Sequence, residues 1–506
     1  MLTRRLFTLA SFAATSATAA GLRIPAVHAA TADTLTIGRA ASAATLDPGF
    51  LREPATLVDN VFDTLVSRDK DMKLSPGLAL AWKSLDDTTW EFALRPGVTF
   101  QNGEKFTAES VKFSLERVLD PAAKAPTISY INTIASVEAA GELLVRIHTK
   151  GPDPLLPTRM SRYPAYIVPP DYVKRVGATT FARQPIGTGP YRVTEFVADD
   201  HVTMQAWSGH WRGAPSIATV IWRAIPEPTA RAAALLAGEV QLVEGVPVAL
   251  VPSLQSAPGL SVQRVHNGGL IIYLGLKSHE GPLADVRVRR ALSLAIDRKG
   301  ITSELLQGFA TPTGGQVGPF DFGYKPAPIP AFAPEQAKRL LAEAGYAKGF
   351  DIRMQAPAHY LSSAEVGQVI AQQFGAVGVR VQLEAPEWSV YAQEVPAGKQ
   401  APIYMLAWGS TQTLDADAAI FPIYHSGQPY STATFPELDT LLDESRRAID
   451  PATRAAVFAK IQDLAADLVP TLPLHQEDLI YAQSGKVRFT GRPDARIPLF
   501  DIRLVA

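Results

Sequence analysis

Residues 74–117 of this 506-residue chain run LSPGLALAWKSLDDTTWEFALRPGVTFQNGEKFTAESVKFSLER, and this stretch decides the fold. Its apolar pattern predicts two strands joined at Asp86-Asp87, followed by a Pro96-Gly97 turn into a short third strand. Asn102-Gly103 marks another turn, after which Thr107 stands at the N-cap position of an amphipathic helix. These residue types build turns, strands and a capped helix, and none of them is arranged for catalysis.

The first 29 residues have the pattern of an export signal. Arg4 and Arg5 precede an apolar, Ala/Thr-rich run that reaches Gly21, and Val27-His28-Ala29 offers small residues at a cleavage site. The apolar run is roughly 15 residues long, which is shorter than the ~20 needed to span a bilayer. We therefore expect cleavage after Ala29 and export by the twin-arginine route. An ordinary export signal with two adjacent basic residues is the alternative.

The amino-acid composition excludes several classes of protein. Cleavage would remove three arginines and leave 477 residues with 45 basic and 49 acidic side chains, a net charge near −4. This mildly acidic balance does not favour nucleic-acid binding, which needs concentrated positive charge. The chain has no cysteine, which excludes thiolate metal sites, a cysteine nucleophile and a lipid-modified N-terminal Cys. No later segment has the length and apolarity of a membrane span, so we expect a freely diffusing periplasmic protein.

Strand and helix patterns alternate along the rest of the chain, without a tandem repeat, and predict a mixed α/β fold. Gly345 is placed to end one of the helices, because glycine accepts the left-handed conformation. The predicted strands cover 191–196, 220–225, 270–276, 350–355 and 379–383. The predicted helices cover 229–237, 285–298, 337–344, 363–376, 436–447 and 451–468, and 311–334 is predicted to be an extended Pro/Gly-rich loop.

Several short motifs recur in a fixed order across roughly 400 residues. They are VFDTL at 61–65, the block at 74–117, GTGPY at 187–191, DVRVRRALSLAID at 285–297 and EAGY at 343–346. In this order they resemble bacterial extracellular solute-binding proteins of family 5. These are the large receptors of ABC importers, and they include the dipeptide and oligopeptide receptors.

The resemblance implies a two-lobed periplasmic binding protein fold of the class II, or cluster C, type. Two α/β lobes would be joined by two chain crossings, near Tyr273 and near Pro473-Leu474-His475, with an extra subdomain inserted in the first lobe. The implied domains are the signal at 1–29, lobe I at 30–272 with its subdomain at about 57–184, lobe II at 273–475, and a return segment to lobe I at 476–506.

The resemblance also implies where the ligand is selected. In the peptide-binding members a Trp is followed shortly by an acidic residue that pairs with the α-amino group of the peptide, because a desolvated ammonium needs a carboxylate partner. Here the Trp is Trp408, and the matching position is Thr411. The first acidic residues come later, at Asp415 and Asp417. The carboxylate that marks a peptide receptor is therefore missing or displaced.

The predicted ligand contacts are Trp408, Thr411, Asp415, Tyr360 and Ser42. Trp408 would offer a flat apolar platform, although a core position is the alternative. Tyr360 and Ser42 stand in loops that face the cleft in the family. For Asp415 and its neighbour Asp417, the start of a helix is the competing explanation, because Asp is favourable near a helix N-terminus.

Other polar residues have a plainer interpretation. His359 and His425 are expected to be surface or structural residues. Arg287, Arg289 and Arg290 could form a patch for a permease, but solvated faces of a helix explain them as well.

The sequence thus predicts a receptor that captures a peptide or peptide-like solute and delivers it to an ABC permease in the inner membrane. The same role for another solute is the first alternative: an amino-acid conjugate, an opine, a sugar or a chelated metal. An exported hydrolase is the remote one, because the usual catalytic motifs are absent from the sequence. We expect a monomer that needs no cofactor and does not act as an enzyme.

Overall fold

The computed structural model describes residues 33–41, 43–51, 56–360, 362–410, 413–432 and 434–505. The predicted export signal lies outside these residues. The strands in chain order are β1 (Thr34–Arg39), β2 (Val66–Arg68), β3 (Leu74–Pro76), β4 (Ala79–Asp86), β5 (Thr89–Leu94), β6 (Ile134–Gly141), β7 (Leu144–Thr149), β8 (Tyr191–Val197), β9 (His201–Ala206), β10 (Thr219–Ala224), β11 (Leu242–Glu244), β12 (Leu260–Val265), β13 (Ile271–Leu276), β14 (Ala310–Pro312), β15 (Phe350–Gln355), β16 (Val379–Glu384), β17 (Ile403–Trp408), β18 (Thr471–Glu477), β19 (Leu479–Ser484), β20 (Val487–Arg488) and β21 (Arg503–Leu504).

The helices are likewise spread along the chain, and none of those described is long and apolar enough to cross a membrane. They are α1 (Ala108–Leu119), α2 (Leu156–Arg159), α3 (Pro170–Phe181), α4 (Pro228–Leu236), α5 (Val251–Ser256), α6 (Val286–Leu294), α7 (Arg298–Gly300), α8 (Pro334–Glu343), α9 (Ser363–Ala376), α10 (Trp388–Glu394), α11 (Ala416–Tyr424), α12 (Pro436–Arg447) and α13 (Pro451–Leu468).

The first lobe is built on a seven-stranded sheet with the order β12-β19-β11-β1-β10-β9-β8. Its strand β1 pairs in parallel with both β10 and β11, so both of its edges are covered. Ile37 of β1 stands opposite Trp222 of β10, and both side chains are fully buried. Strand β19, near the end of the chain, pairs antiparallel with β11 and β12 of this sheet.

The second lobe is built on a six-stranded sheet with the order β14-β18-β13-β17-β15-β16. Every residue of β13 is buried, which explains its continuous apolar sequence. Ile272 and Leu274 pack into the core formed with α6, α8 and α9. Tyr273 points to the opposite face, where α11, α12 and α13 form a second core.

The opening stretch of sequence supplies β4 and β5 of a separate small sheet with the order β4-β5-β7-β6. Val111, Leu115 and Val118 on one face of α1 are buried in the core that includes this sheet. Thr107 caps the helix, and its backbone N–H donates to Ser110 Oγ at 3.2 Å. The predicted third strand is reduced to a single bridge between Thr99 and Lys105. This subdomain lies between β1 and β8, inside the predicted range 57–184.

The chain passes between the two large sheets at 266–270 and at Asp478. These positions lie a few residues from the predicted crossings at Tyr273 and at 473–475, both of which fall within strands of the second sheet. Asp478 ties the two crossings together, because its carboxylate accepts from the N–H of Asn267 at 3.0 Å and from Arg264. Gln476 adds bonds from its amide to the carbonyls of Asn267 and Gly269, each 3.0 Å long.

The helix predicted over 285–298 is interrupted. Asp285 caps it as expected by accepting from the N–H of Arg287, but α6 ends at Leu294. Asp297 has non-helical backbone angles and caps a second short helix by accepting from the N–H of Gly300. Asp competes for backbone donors in this way, which is why it ends one helix and starts another.

Candidate ligand-binding cleft

A cavity of about 490 Å³ lies where the inserted subdomain faces the second lobe. The subdomain contributes β2, β3 and the segment between them, and the second lobe contributes the loops at 319–322 and 414–415. Most of the lining is apolar and includes four aromatic side chains, Trp82, Trp90, Phe320 and Phe322. A larger hollow of about 670 Å³ is lined by residues of the second lobe alone. Of these two cavities, only the smaller is lined from both sides of the cleft.

Trp408 is the last residue of β17. After it, the chain leaves the second sheet beside the two crossings. The indole ring is half-buried, donates from its N–H to the carbonyl of Ala418 at 2.9 Å and lies 4.7 Å from the ring of Tyr430. The next residues, Gly409 and Ser410, line a narrow recess together with residues 267–269 of the first crossing. Trp408 thus starts a loop that runs along the junction of the lobes.

Asp415 is held by the protein itself. Both of its carboxylate oxygens accept from Arg454 at 2.7 Å, and one also accepts from the N–H of Asp417, which caps α11. The Asp415 and Arg454 side chains are 3% and 4% exposed. Asp417 is paired with Arg446 in the same way. The helix-start interpretation therefore describes both carboxylates, and Asp415 forms part of the cavity wall.

Asp321 is a cavity residue that sequence reasoning missed. It stands between the two phenylalanines of the predicted extended loop, and it lines both the cavity and the recess beside the crossings. Its carboxylate accepts from the Ser410 hydroxyl and from the N–H of Gly318 at 2.8 Å. Burial raises the pKa of Asp321 to about 6, against the lowering effect of these hydrogen bonds. An acidic residue inside a Phe-Asp-Phe segment of a Gly/Pro-rich loop was the available signal.

Arg68, at the end of β2, is the cavity's buried cation on the subdomain side. Its guanidinium donates to the carbonyl of Met72 at 2.6 Å and to the carbonyl of Thr413 in the second lobe. The side chain is mostly withdrawn from water, and this burial lowers the pKa of Arg68 to about 10. Arg68 therefore stays charged at neutral pH, and it links the two sides of the cleft directly.

Tyr360 lies away from the cavity lining. Its ring packs edge-on against Trp388, with ring centres 5.4 Å apart, and burial raises the pKa of Tyr360 to about 12. His359 stacks on the same indole at 3.8 Å. His425 stacks on Phe421 and points Nε2 towards Asp443. These histidines take the structural roles expected of them, and a ligand contact by Tyr360 stays a prediction.

Two predicted contacts, Ser42 and Thr411, lie outside the described residues. Among the described residues, Ser410 donates to Asp321, and the carbonyl of Thr413 accepts from Arg68.

The arginines of α6 do not form one solvated face. Arg289 is buried and donates to the carbonyls of Leu283 and Leu468, so the solvated-face interpretation was wrong for this residue. Arg287 pairs with Asp285 at 2.7 Å, and Arg290 is partly exposed. Arg289 is buried because α6 packs against the end of α13, whose last backbone carbonyls need hydrogen-bond donors.

Two lobes, two crossings and a cavity between them define a binding protein that encloses a small solute. The chain belongs to the bacterial extracellular solute-binding proteins, family 5, whose family model matches residues 73–431. This assignment confirms the predicted family, the two-lobed α/β fold and the role of a solute-binding receptor of an ABC importer.

Relatives along nearly the whole chain agree with this assignment. The glutathione-binding protein GsiB of Shigella dysenteriae serotype 1 is 28% identical over 477 residues, covering 91% of this chain and 92% of that protein. GsiB of Pectobacterium atrosepticum is 29% identical over 467 residues, covering 89% of each chain. The structure of HbpA2 from Haemophilus parasuis has a TM-score of 0.83 at 25% identity and covers 94% of this chain and all of that one.

Proposed function

We propose that this protein is the periplasmic receptor of an ABC importer for a short peptide or peptide-like solute, and that the 490 Å³ cavity encloses this ligand. Pockets of roughly 300–1,000 Å³ hold drug-sized ligands, so the cavity suits a short peptide rather than a long one. The cavity between the subdomain and the second lobe is the observation that carries the proposal. The glutathione-binding relatives support the peptide class.

The receptor acts by trapping and not by converting its cargo. A ligand that touches both sides of the cleft binds the closed form more tightly than the open form and so shifts the population towards closure. The closed form then docks on a permease in the inner membrane, and the mature protein works as a monomer in the periplasm. Residues 1–29 act as the export signal. The lobes divide at the two crossings, with Trp408, Ser42 and Thr411 as ligand contacts in the junction.

A non-peptide solute is the second candidate. AgaA and MoaA from Agrobacterium are related in structure to this chain at 25% identity, with TM-scores of 0.73 and 0.72. They are described in complex with agropinic acid and mannopinic acid, respectively. A non-peptide solute would use the same cavity.

Mass spectrometry of co-purified ligand and a thermal-shift screen test the proposal. We expect reduced glutathione or another short peptide to raise the melting temperature of the mature protein and to be recovered intact. Phe320→Ala, in the lining of the cavity, should reduce this shift, whereas Leu236→Ala on the exposed side of α4 should not. The peptide assignment fails if no peptide shifts the melting temperature while an opine-type solute does. Conversion of the bound solute would contradict the receptor role.

A further inference from the structure

A segment of the second lobe touches the first lobe at a place outside the ligand cleft. Phe309, just before β14, packs against a cluster of apolar side chains on α4, α5, β11 and β19. Among the described residues, the other members of this cluster all belong to the first lobe. The guanidinium of Arg264, on β12, lies over the Phe309 ring at 4.8 Å and donates to the carbonyl of Gly308. Arg264 and Phe309 therefore join the two lobes.

This contact lies on the face of the first sheet that is turned away from the cleft. Val262 packs in the same cluster as the phenylalanine, and Arg264 leaves β12 on the same face, because side chains two residues apart share a face. Gln263 points to the opposite face, where it accepts from the N–H of Gly491 at 3.1 Å. That segment continues to Pro493, which lines the recess beside the crossings. The crossings thus run between the cleft on one face and the arginine–phenylalanine contact on the other.

The turn before β14 brings the phenylalanine to the first lobe. Gln307 and Gly308 both have left-handed backbone conformations, with φ angles of 49° and 77°. Glycine adopts this conformation without steric cost, whereas glutamine adopts it against its preference. The N–H groups of Gly308 and Phe309 donate to the carbonyls of Thr302 and Leu306, each at 2.7 Å. Two consecutive residues at positive φ turn the chain sharply, and the turn is closed by these bonds.

Arg264 is also bonded to the second crossing. Its Nε donates to the fully buried carboxylate of Asp478, which accepts from the N–H of Asn267 in the first crossing at 3.0 Å. A guanidinium is a rigid fork of donors, so one edge bonds to Asp478 while another nitrogen reaches Gly308. The contact between the lobes is therefore tied directly to the segments at which the lobes divide.

We propose that Arg264 and Phe309 are positioning residues that oppose closure of the cleft and thereby weaken ligand binding. Bending at the crossings brings the sides of the cleft together and draws apart the surfaces on the opposite face, so closure separates this contact. On the cleft side, the bond from Arg68 to Thr413 acts in the other direction. A ligand that selects the closed form must overcome the contact, and its apparent affinity falls accordingly. This inference rests on the proposed capture of the ligand by closure.

Titration calorimetry of the mature protein with reduced glutathione, together with small-angle scattering without ligand, tests the proposal. Phe309→Ala removes the ring from between the lobes, and we expect it to tighten binding by about 3- to 30-fold. Its radius of gyration without ligand should be smaller than that of the wild type. Its melting temperature should fall, because packed apolar surface is lost. A purely structural role would lower the melting temperature without tightening binding.

Phe435→Ala is the matched control. Phe435 is also half-buried and lies under an arginine, with Arg289 Cζ 5.6 Å from the ring centre, but both residues belong to the second lobe. We expect this variant to lose stability with no gain in affinity and no change in radius. Equal tightening by Phe309→Ala and Phe435→Ala would trace the effect to a general loss of stability and would overturn the proposal.

Arg264→Lys is a second variant that approaches the same contact from the first lobe. Lysine keeps a cation beside the buried Asp478 but lacks the planar fork that stacks on Phe309 and bonds to Gly308. We expect it to tighten binding in the same direction as Phe309→Ala. Because both variants remove one contact, the gain of the double variant should be smaller than the product of the two single gains.

The outcomes separate this inference from the proposed function. An unchanged or larger radius in Phe309→Ala overturns the inference, and so does binding of glutathione that is unchanged or weaker. The receptor function stands in either case. If glutathione binds neither the wild type nor the variants, then the choice of this ligand fails, and the radius of the unliganded variants alone decides the inference.

Discussion

Two residues near the junction of the lobes, the buried His475 and the half-buried Asp321, respond to pH in opposite directions. Burial lowers the pKa of His475 to about 4, and burial raises the pKa of Asp321 to about 6. Below pH 6.5 the unfolded chain protonates His475 more readily than the folded protein does, so folding stability falls as the pH drops from 6.5 to 4. For Asp321 the folded protein holds the proton more strongly, so stability falls as the pH rises from about 4 to 6.

The two effects are each worth about 3 kcal/mol at their plateaus, so they nearly cancel in the wild type between pH 4 and 6. We expect Asp321→Asn to expose the His475 effect, with a free energy of unfolding that rises with pH across this window. His475→Gln should expose the opposite slope. Urea denaturation at a series of pH values measures both, and each slope is read as the difference from wild type. Parallel curves for wild type and Asp321→Asn would contradict the assignment of a raised pKa to Asp321.

The Asp415–Arg454 pair stabilises the cavity wall only as a pair. Arg454→Met would leave the Asp415 carboxylate buried without a cation, and we expect it to lower the free energy of unfolding by about 3–5 kcal/mol. Asp415→Leu combined with Arg454→Met should recover most of this loss, because no charge is left to desolvate. Arg380→Met, which removes an exposed pair with Asp351, is the control and should cost less than about 1 kcal/mol. Equal losses in the single and double variants would argue against this account.

At the scale of elements, most of the fold could be predicted from the sequence. The helices at 363–376, 436–447 and 451–468 begin and end at the predicted residues. These elements follow the local rule that a helix buries its apolar positions. Local rules cannot predict that α6 packs on α13 and buries Arg289, because these residues are far apart in the chain. They cannot predict the contact between Asp321 and Ser410 for the same reason. The cavity wall therefore needed the three-dimensional structure.

Strand β13 depends on a glycine for its contact with β17. A Cβ added at Gly275 would lie 2.1 Å from Cζ of Tyr404, whose hydroxyl bonds to Thr432 at 3.0 Å. We expect Gly275→Ala to destabilise the second lobe by at least about 1–3 kcal/mol, since the ring is fully buried and cannot move aside. Chemical denaturation measures this loss.

Combining Gly275→Ala with Tyr404→Leu supplies the control for the steric cause. Leucine lacks the ring atoms that meet the new methyl group, so the double variant should lose less stability than the two single losses added together. Gly375→Ala, inside α9 with open space around it, should be neutral or stabilising, because alanine is the better helix former. Strict additivity of the first pair would rule out the clash.

At the scale of the whole molecule, function depends on how readily the two sides of the cleft separate. Asp478 and Gln476 join the two crossings by hydrogen bonds to Asn267. On the open side of the cleft, Arg68 donates to the carbonyl of Thr413 and so holds the sides together before any ligand binds. A ligand then adds to a contact that already favours closure.

Arg68→Ala should therefore shift the unliganded protein towards the open form. A hydrogen bond from a charged group is worth about 1.5–3 kcal/mol, so its loss changes the open-to-closed ratio by roughly 10- to 100-fold. Small-angle scattering without ligand should give a larger radius of gyration for Arg68→Ala than for the wild type. Lys70→Ala, two residues away and fully exposed, should leave the radius unchanged. If both variants scatter like the wild type, the bond from Arg68 to Thr413 does not set the resting position of the lobes.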